Sequence, residues 1–560
     1  MTNQGRIKFL LVCIFIFIAL IVLRLFQIQI IRHEFYKKEI QKRISVDETF
    51  RIKRGDIFSS DKAPLAINLM SFDLIAVPAY IENGIEIASR LAPYLGFKEE
   101  VSGKQVIEET EETKNFKDLV LRLSNKNDFY ELLARDLTLD QMRQIEDLNL
   151  KGLNFETKYR RYYPEKEIFG QITGFFGWSN QQQKGQYGLE ESFDKNLNEG
   201  DSLTLTINSS LQFFVNEKLK EALEKYEAES GVIIILDSRT GEILSMVSLP
   251  SFDPNQYSKI TDFSLFRNPA ISDEFEPGSI FKLITMAAGL AEKKITPETT
   301  YIDAGEVKIG NQVIKNAGNK IYKEQSMTNV LEKSINTGAI FVANKLGINS
   351  FRDYVQKFGF GSLTGVELPA EEKGDLSNLN QKEEIYLATG SFGQGLTVTP
   401  LQMVAAISTI ANEGKLMKPF IVKEIKKTNG DIISARGGSA EGGKIEPGVV
   451  RQVIKKEVAA DLTKMMVAVT EIGHVKSAQI PGFFVAGKTG TAQIPEKGGY
   501  SEKTNHSFVG FLPAQAPIFT VLIKLKNPKK GKYAESTAAP LFSEIGKFLV
   551  ESYNLEPERE

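Results

Sequence analysis

The chain opens with one long apolar run. Residues 9–31 read FLLVCIFIFIALIVLRLFQIQII, and a helix needs about 20 apolar residues to cross a bilayer. Arg24, Gln27 and Gln29 interrupt only its far end, where an arginine can snorkel to the interface. The sequence RHEFYKKEIQKR follows, with no small-residue cleavage site, so the run is expected to be an uncleaved anchor. Beyond it, Glu34 to Asp47 has the spaced apolar positions of a helical stalk, and Phe50 to Phe58 reads as a strand with a glycine turn at Gly55. The stretch from Ile81 to about Leu150 is charge-rich with helical periodicity, clearest from Asp128 to Leu148. Leu203 to Ile207 alternates as a strand, and Leu211 to Tyr226 has apolar residues at helical spacing. Gly231 to Leu236 and Ile243 to Ser248 are apolar runs flanking the turn Asp237 to Glu242, the pattern of a β-hairpin. A helical block surrounds Ser279, and Met403 to Asn412 reads as a buried helix. Asn429-Gly430-Asp431 is a turn and Gly437 to Gly443 a loop. Strand-like segments return at Phe483 to Ala486, Ser507 to Phe511 and Ile518 to Lys524. Strand pairs early and late, with helices between, predict an α+β fold built on an antiparallel sheet with helical layers.

Composition narrows the class. A chain of 560 residues is too long for one small core and suggests two to four domains. The formal net charge of −2 argues against a nucleic-acid binder, which would be basic overall or in a block. Cys13 is the single cysteine, so neither an intrachain disulfide nor a cysteine-rich metal site can form. His33, His474 and His506 are far apart and fit no zinc-hydrolase spacing. No metal and no cofactor is expected. Flanking charge gives an ambiguous orientation for the anchor. Arg6 and Lys8 precede it, but Arg32, Lys37, Lys38, Lys42 and Arg43 follow. Long domains translocate regardless of such charges, so an extracytoplasmic body rests on the chemistry below.

Three short motifs occur in order: Ser279-Ile280-Phe281-Lys282, Ser334-Ile335-Asn336 and Lys488-Thr489-Gly490-Thr491. Each is cheap alone. Ser59 to Lys62 and Ser192 to Lys195 also read S-x-x-K, and Ser552 to Asn554 reads S-x-N. Only one set has all three parts in sequence, and that set specifies serine acyl transfer with a lysine handling the proton. Pro277-Gly278 ahead of Ser279 and the apolar sequence after it predict a buried helix starting at the serine. Lys282, at i+3, would lie on the same face, and apolar surroundings would lower its pKa until it could accept the serine proton. An ordinary N-terminal serine with a snorkelling lysine would give the same local pattern. Ser334 and Asn336 can relay a proton and hold a substrate carbonyl, or merely form a cap or turn. Lys488 and Thr489 would meet a carboxylate. Gly487 and Gly490 let another backbone approach an edge strand. The N–H groups of Thr491 and Ser279 could form an oxyanion hole. A strand-end turn is the plainer alternative for this last motif.

With these residues in place the chain resembles a class B penicillin-binding protein, and the likeness extends from the anchor to about Lys547. It is carried also by Gly231 to Asp237, Thr240 to Leu244, Pro250 to Asn255, Arg267 to Ala270 and Glu276 to Ser279. Thr389 to Gly395 and Thr399 to Gln402 are similar to a segment beneath that family's cleft, and Arg54-Gly55, Arg161 to Pro164 and Gly185 to Glu190 to its pedestal motifs. The resemblance implies a short cytoplasmic tail (1–8), a single-pass transmembrane helix (9–31), an elongated α+β pedestal of the dimerisation type (32–228) and a transpeptidase domain (229–560). It implies a peptidoglycan D,D-transpeptidase at the cell membrane. Ser279 would attack the penultimate D-Ala carbonyl of a donor stem peptide, with Lys282 as base and Ser334 and Asn336 assisting. Lys488, Thr489, Gly490 and Thr491 would bind substrate, and an acceptor stem peptide's amine would take the acyl group. β-Lactams would acylate Ser279. The implied partner is a SEDS-family glycosyltransferase within a divisome or elongasome; the sequence fits both the division and elongation branches. Two departures stand out: Ser60-Asp61-Lys62-Ala63 replaces the usual Asp-Arg-x-Gly, and His474, read as a loop substitution rather than a catalytic residue, replaces a frequent threonine. Alternatives are a D,D-carboxypeptidase or β-lactamase-type hydrolase, or a β-lactam-binding scaffold without turnover.

Overall fold

A computed structural model describes residues 53–96, 111–179, 182–434, 448–496 and 498–559, together with scattered helical positions between 15 and 27. Most of the expected anchor, the stalk at 34–47 and the loop at 437–443 lie outside the described residues. Among the described residues no helix is long and apolar enough to cross a membrane. The chain divides into two units, residues 1–54 with 68–160, and residues 55–67 with 161–560.

In the first unit, β1 (Pro64–Ala76) buries Phe72, Leu74 and Ala76 against α1 (Gly84–Leu95) and α2 (Glu111–Ser124). Its later half pairs antiparallel with β2 (Glu131–Leu137). Helical periodicity was expected through 128–148, but only α3 (Leu139–Glu146) is helical there. The segment ELLARDL buries Leu133 and Leu137 against the sheet, so strand pairing overrides its helix-compatible composition. Thr138 then starts α3 with a reciprocal capping box to Gln141.

The second unit is centred on five antiparallel strands. In chain order they are β3 (Ser230–Asp237), β4 (Ile243–Leu249), β5 (Ala486–Glu496), β6 (Gly499–Leu512) and β7 (Phe519–Lys526), lying in the sheet as β5-β6-β7-β3-β4. The predicted hairpin is β3 with β4, pairing Gly231 with Leu249. β3 is buried along nearly its whole length rather than on alternate residues, as a strand covered on both faces must be. Helices Ser209–Tyr226 and Ala538–Ser552 cover one face, and Pro400–Ala411 and Lys456–Glu471 the other. Pro400–Ala411 is buried at every residue, which matches its continuous apolar sequence.

The expected strand at Phe483 to Ala486 begins only at Ala486 and runs on to Glu496. Lys488 to Thr491 therefore lie within a strand rather than at its end, and that strand is the sheet edge among the described residues. A Cβ on Gly487 would stand 2.4 Å from the ring of Phe508. Gly55 serves a similar need: a Cβ there would meet Asp201 O at 1.7 Å, so the residue marks a backbone crossing rather than a turn.

Two of the predicted pedestal motifs, Arg161 to Pro164 and Gly185 to Glu190, meet in this unit. Arg161 and Glu190 form a buried ion pair at 2.6 Å, and Tyr163 Oη donates to the same carboxylate at 3.2 Å. Asp61, in the departure from the usual motif, accepts from the N–H and hydroxyl of Ser209 at 3.0 and 2.6 Å. It thus satisfies a free donor at the start of that helix.

Gly487→Ala is expected to overpack the Phe508 contact and lower stability by about 1–3 kcal/mol. Urea unfolding of the full-length protein in detergent checks this.

Candidate active site

Ser279 sits in a single 3₁₀ turn, Gly278–Phe281, and α4 (Lys282–Ala291) follows it directly. The helix thus begins three residues later than expected. Lys282 N–H donates to Ser279 O, and 3₁₀ geometry eclipses positions i and i+3. The serine and lysine therefore share a face. Ser279 is half-buried between fully buried neighbours.

The turn is held from beneath by the segment that resembled a cleft floor. Gly278 adopts φ +59° and donates its N–H to Gly393 O at 3.0 Å. Gly393 cannot carry a side chain, because its Cβ would lie 2.4 Å from Gly278 O. Thr285 Oγ1 donates to Ser391 O at 2.7 Å. Glu276 accepts from Gly395 N–H at 2.9 Å and from Tyr500 Oη at 3.0 Å. Burial raises its carboxyl pKa, and these hydrogen bonds oppose the rise.

The second motif lies at a corner between two helices, α5 (Met327–Glu332) and α6 (Asn336–Lys357). Ser334 occupies the left-handed position that ends α5, with φ +54°. Ser334 N–H bonds Leu331 O, and Ile335 N–H bonds Val330 O, the pattern in which glycine is usual. A serine here costs backbone strain and supplies a hydroxyl. Asn336 opens α6. Its Nδ2 donates to Lys315 O at 3.0 Å, leaving Oδ1 free to face Lys282.

Lys282 Nζ donates to Ser334 O at 2.7 Å, to Asn336 Oδ1 at 2.8 Å and to Ser334 Oγ at 3.3 Å. Lys488 Nζ donates to Ser334 Oγ at 3.0 Å and to Thr489 O at 3.2 Å. Both lysines are fully buried. Burial, reinforced by the charge of Lys488, holds the Lys282 pKa well below the ordinary lysine range. Burial also brings Lys488 down to about 7, against the opposing pull of Glu535. The carbonyl oxygens on Ser334 and Asn336 can only accept, so they fix two N–H bonds of Lys282. Its third position, facing the Ser334 hydroxyl, is the one free to exchange a proton.

The third motif passes beside the serine turn. A Cβ on Gly490 would approach Pro277 O to 3.0 Å. Strand alternation puts Lys488 and Gly490 toward the turn and Thr489 and Thr491 on the other side of the pleat. The structure thus joins Lys282, Ser334, Asn336 and Lys488 in one hydrogen-bonded network beside Ser279. Thr489 enters that network only through its backbone carbonyl, and Thr491 lies outside it. Thr491 Oγ1 instead accepts from Ala534 N–H at 3.1 Å.

His474 stands in the loop after the helix Lys456–Glu471, as its reading as a loop substitution expects, and that loop borders the site. Its Nδ1 lies 2.6 Å from Glu332 O and its Nε2 3.7 Å from Glu535. Burial and the charge of Lys488 lower its pKa to about 4. The departure from the family pattern at residue 474 was the available sequence signal. Nothing local marked Glu535 or Tyr500.

Residues 231–547 match the family model for the penicillin binding protein transpeptidase domain, and residues 51–218 that for the penicillin-binding protein dimerisation domain. The chain is 30% identical to the peptidoglycan D,D-transpeptidase FtsI of Buchnera aphidicola, over 100% of this chain and 97% of the relative. It is 28% identical to stage V sporulation protein D of Bacillus subtilis, over 100% and 87% respectively. A solved peptidoglycan synthetase from Bifidobacterium adolescentis superposes with a TM-score of 0.70 at 25% identity, covering 91% of this chain and 97% of that one.

Asn336→Asp would set a carboxylate on Lys282 and stabilise its ammonium. The Lys282 pKa should rise by about 1–3 units, as read by side-chain NMR titration of the lysines.

Proposed function

The chain belongs to the penicillin-binding transpeptidase family, is a serine peptidoglycan D,D-transpeptidase, and, we propose, works through Ser279. The observation that carries this proposal is the pair of buried lysines converging on Ser334 beside the Ser279 turn.

In the proposed mechanism, neutral Lys282 takes the hydroxyl proton as Ser279 Oγ attacks the penultimate D-Ala carbonyl of a donor stem peptide. The peptide bond to the terminal D-Ala breaks, and its amine receives a proton through Ser334 and Lys488. The backbone N–H groups of Ser279 and Thr491 stabilise the oxyanion. The edge of β5, which pairs with no further strand among the described residues, supports the reading that the donor peptide adds as a further strand, with Lys488, Thr489, Gly490 and Thr491 holding its carboxylate end. An acceptor amine then attacks the acyl-enzyme, forms the cross-link and returns a proton to Ser279. A β-lactam would open on the same oxygen.

The proposed organisation retains a cytoplasmic tail at 1–8, an anchor at 9–31, a pedestal at 32–228 and a transpeptidase domain at 229–560. The helical state and exposure of Phe15, Phe17, Leu20 and Phe26 support a membrane-spanning helix. The catalytic unit would then stand outside the cytoplasm. We assign glycan polymerisation to a SEDS-family partner in a division or elongation complex.

Intact mass after incubation with a penicillin should show one slowly reversing adduct, absent in Ser279→Ala. Lys282→Met should slow its formation about 10²- to 10⁴-fold. Drug hydrolysis without adduct would favour a hydrolase, and a folded protein giving neither would be a scaffold.

A further inference from the structure

His474 and Glu535 come from two neighbouring segments beside the site, 61 residues apart in the chain. His474 is tied to the end of α5 through Glu332 O at 2.6 Å. A carbonyl can only accept, so His474 Nδ1 carries the proton and Nε2 of the neutral ring presents a lone pair. Glu535 lies in the turn Ala534–Ser536, which is fixed to the edge strand by Ala534 N–H donating to Thr491 Oγ1 at 3.1 Å. Ser477 Oγ holds the Glu535 backbone carbonyl at 2.6 Å.

The His474 lone pair and the Glu535 carboxylate therefore face each other at 3.7 Å, both half-exposed. Two acceptors at that separation do not satisfy one another; they converge on a donor. The charged groups facing His474 are Glu535, Lys488, Lys282 and Lys320. Glu535 is the one anion among them, and it also acts on Lys488. A primary ammonium has three N–H donors and suits two convergent acceptors, leaving one for a substrate carbonyl. A divalent cation would need more oxygen ligands than this pair offers.

We propose that His474 and Glu535 form a primary-ammonium subsite that receives the amino group of the acceptor stem peptide before attack on the acyl-enzyme. The proposal rests on the transpeptidase reading above. The subsite binds and orients only: no bond forms or breaks in it. The ammonium loses a proton to solvent before its nitrogen can attack.

The test uses the full-length protein in detergent, a peptidyl thioester as acyl donor and two acceptors. Glycinamide is largely cationic near neutral pH, whereas hydroxylamine is neutral. Transfer is normalised to the sites that penicillin titrates. Glu535→Gln should lower the transfer rate to glycinamide about tenfold and that to hydroxylamine by about twofold or less. His474→Phe should show the same selectivity. Equal losses with both acceptors would overturn the proposal and make Glu535 a modulator of Lys488. Unchanged transfer to both would overturn it as well. A wild-type protein with no penicillin-titratable site would instead defeat the transpeptidase reading on which the subsite depends.

Discussion

Everything around Ser279 depends on keeping two lysine side chains buried and within reach of one hydroxyl. Burial alone disfavours their ammonium forms, and the charge of Lys488 further lowers the affinity of Lys282 for a proton. Ser334 Oγ accepts from Lys488 at 3.0 Å and lies 3.3 Å from Lys282. This hydroxyl can accept from one nitrogen and donate to the other, so a proton can cross between them without either lysine moving. The carbonyl oxygens of Ser334 and Asn336 hold Lys282 in place while that proton moves.

The surrounding backbone is shaped by what this arrangement demands. Ser334 accepts a left-handed conformation that leaves its hydroxyl between the two lysines, and Gly278 accepts one where the chain turns into Ser279. Gly393 and Gly490 lack side chains where the cleft floor and the edge strand press against the serine turn. The five-stranded sheet is covered by helices on both faces, and both lysines beside it are fully buried.

The sequence made the chemistry more legible than its surroundings. The hairpin at 231–249 and the buried helix at 400–411 follow from uninterrupted apolar runs and appear as expected. The spacing of Ser279 and Lys282 placed them on one face, although the turn is 3₁₀ and the α-helix begins at Lys282. Strand β2 was hidden because its pattern of leucines and charges also suits a helix, and only pairing with β1 decides between them. Tyr500 and Glu535 carry no local signature. They meet the segment around Ser279 from more than 200 residues along the chain, as the Tyr500 to Glu276 bond illustrates. His474 was visible only as an oddity, since its meaning depends on Glu332 and Glu535 folding toward it.

The central claim is that Lys282 is neutral enough at physiological pH to take the Ser279 proton. The most direct measurement is the rate of penicillin acylation of Ser279 as a function of pH, with the same protein shown to stay folded throughout. A lysine whose pKa is depressed loses its proton at lower pH, so acylation should rise to its plateau well below 10.5, the ordinary lysine value. A rate that climbs only as the pH approaches 10.5 would contradict this account, because Lys282 would then be charged at neutrality.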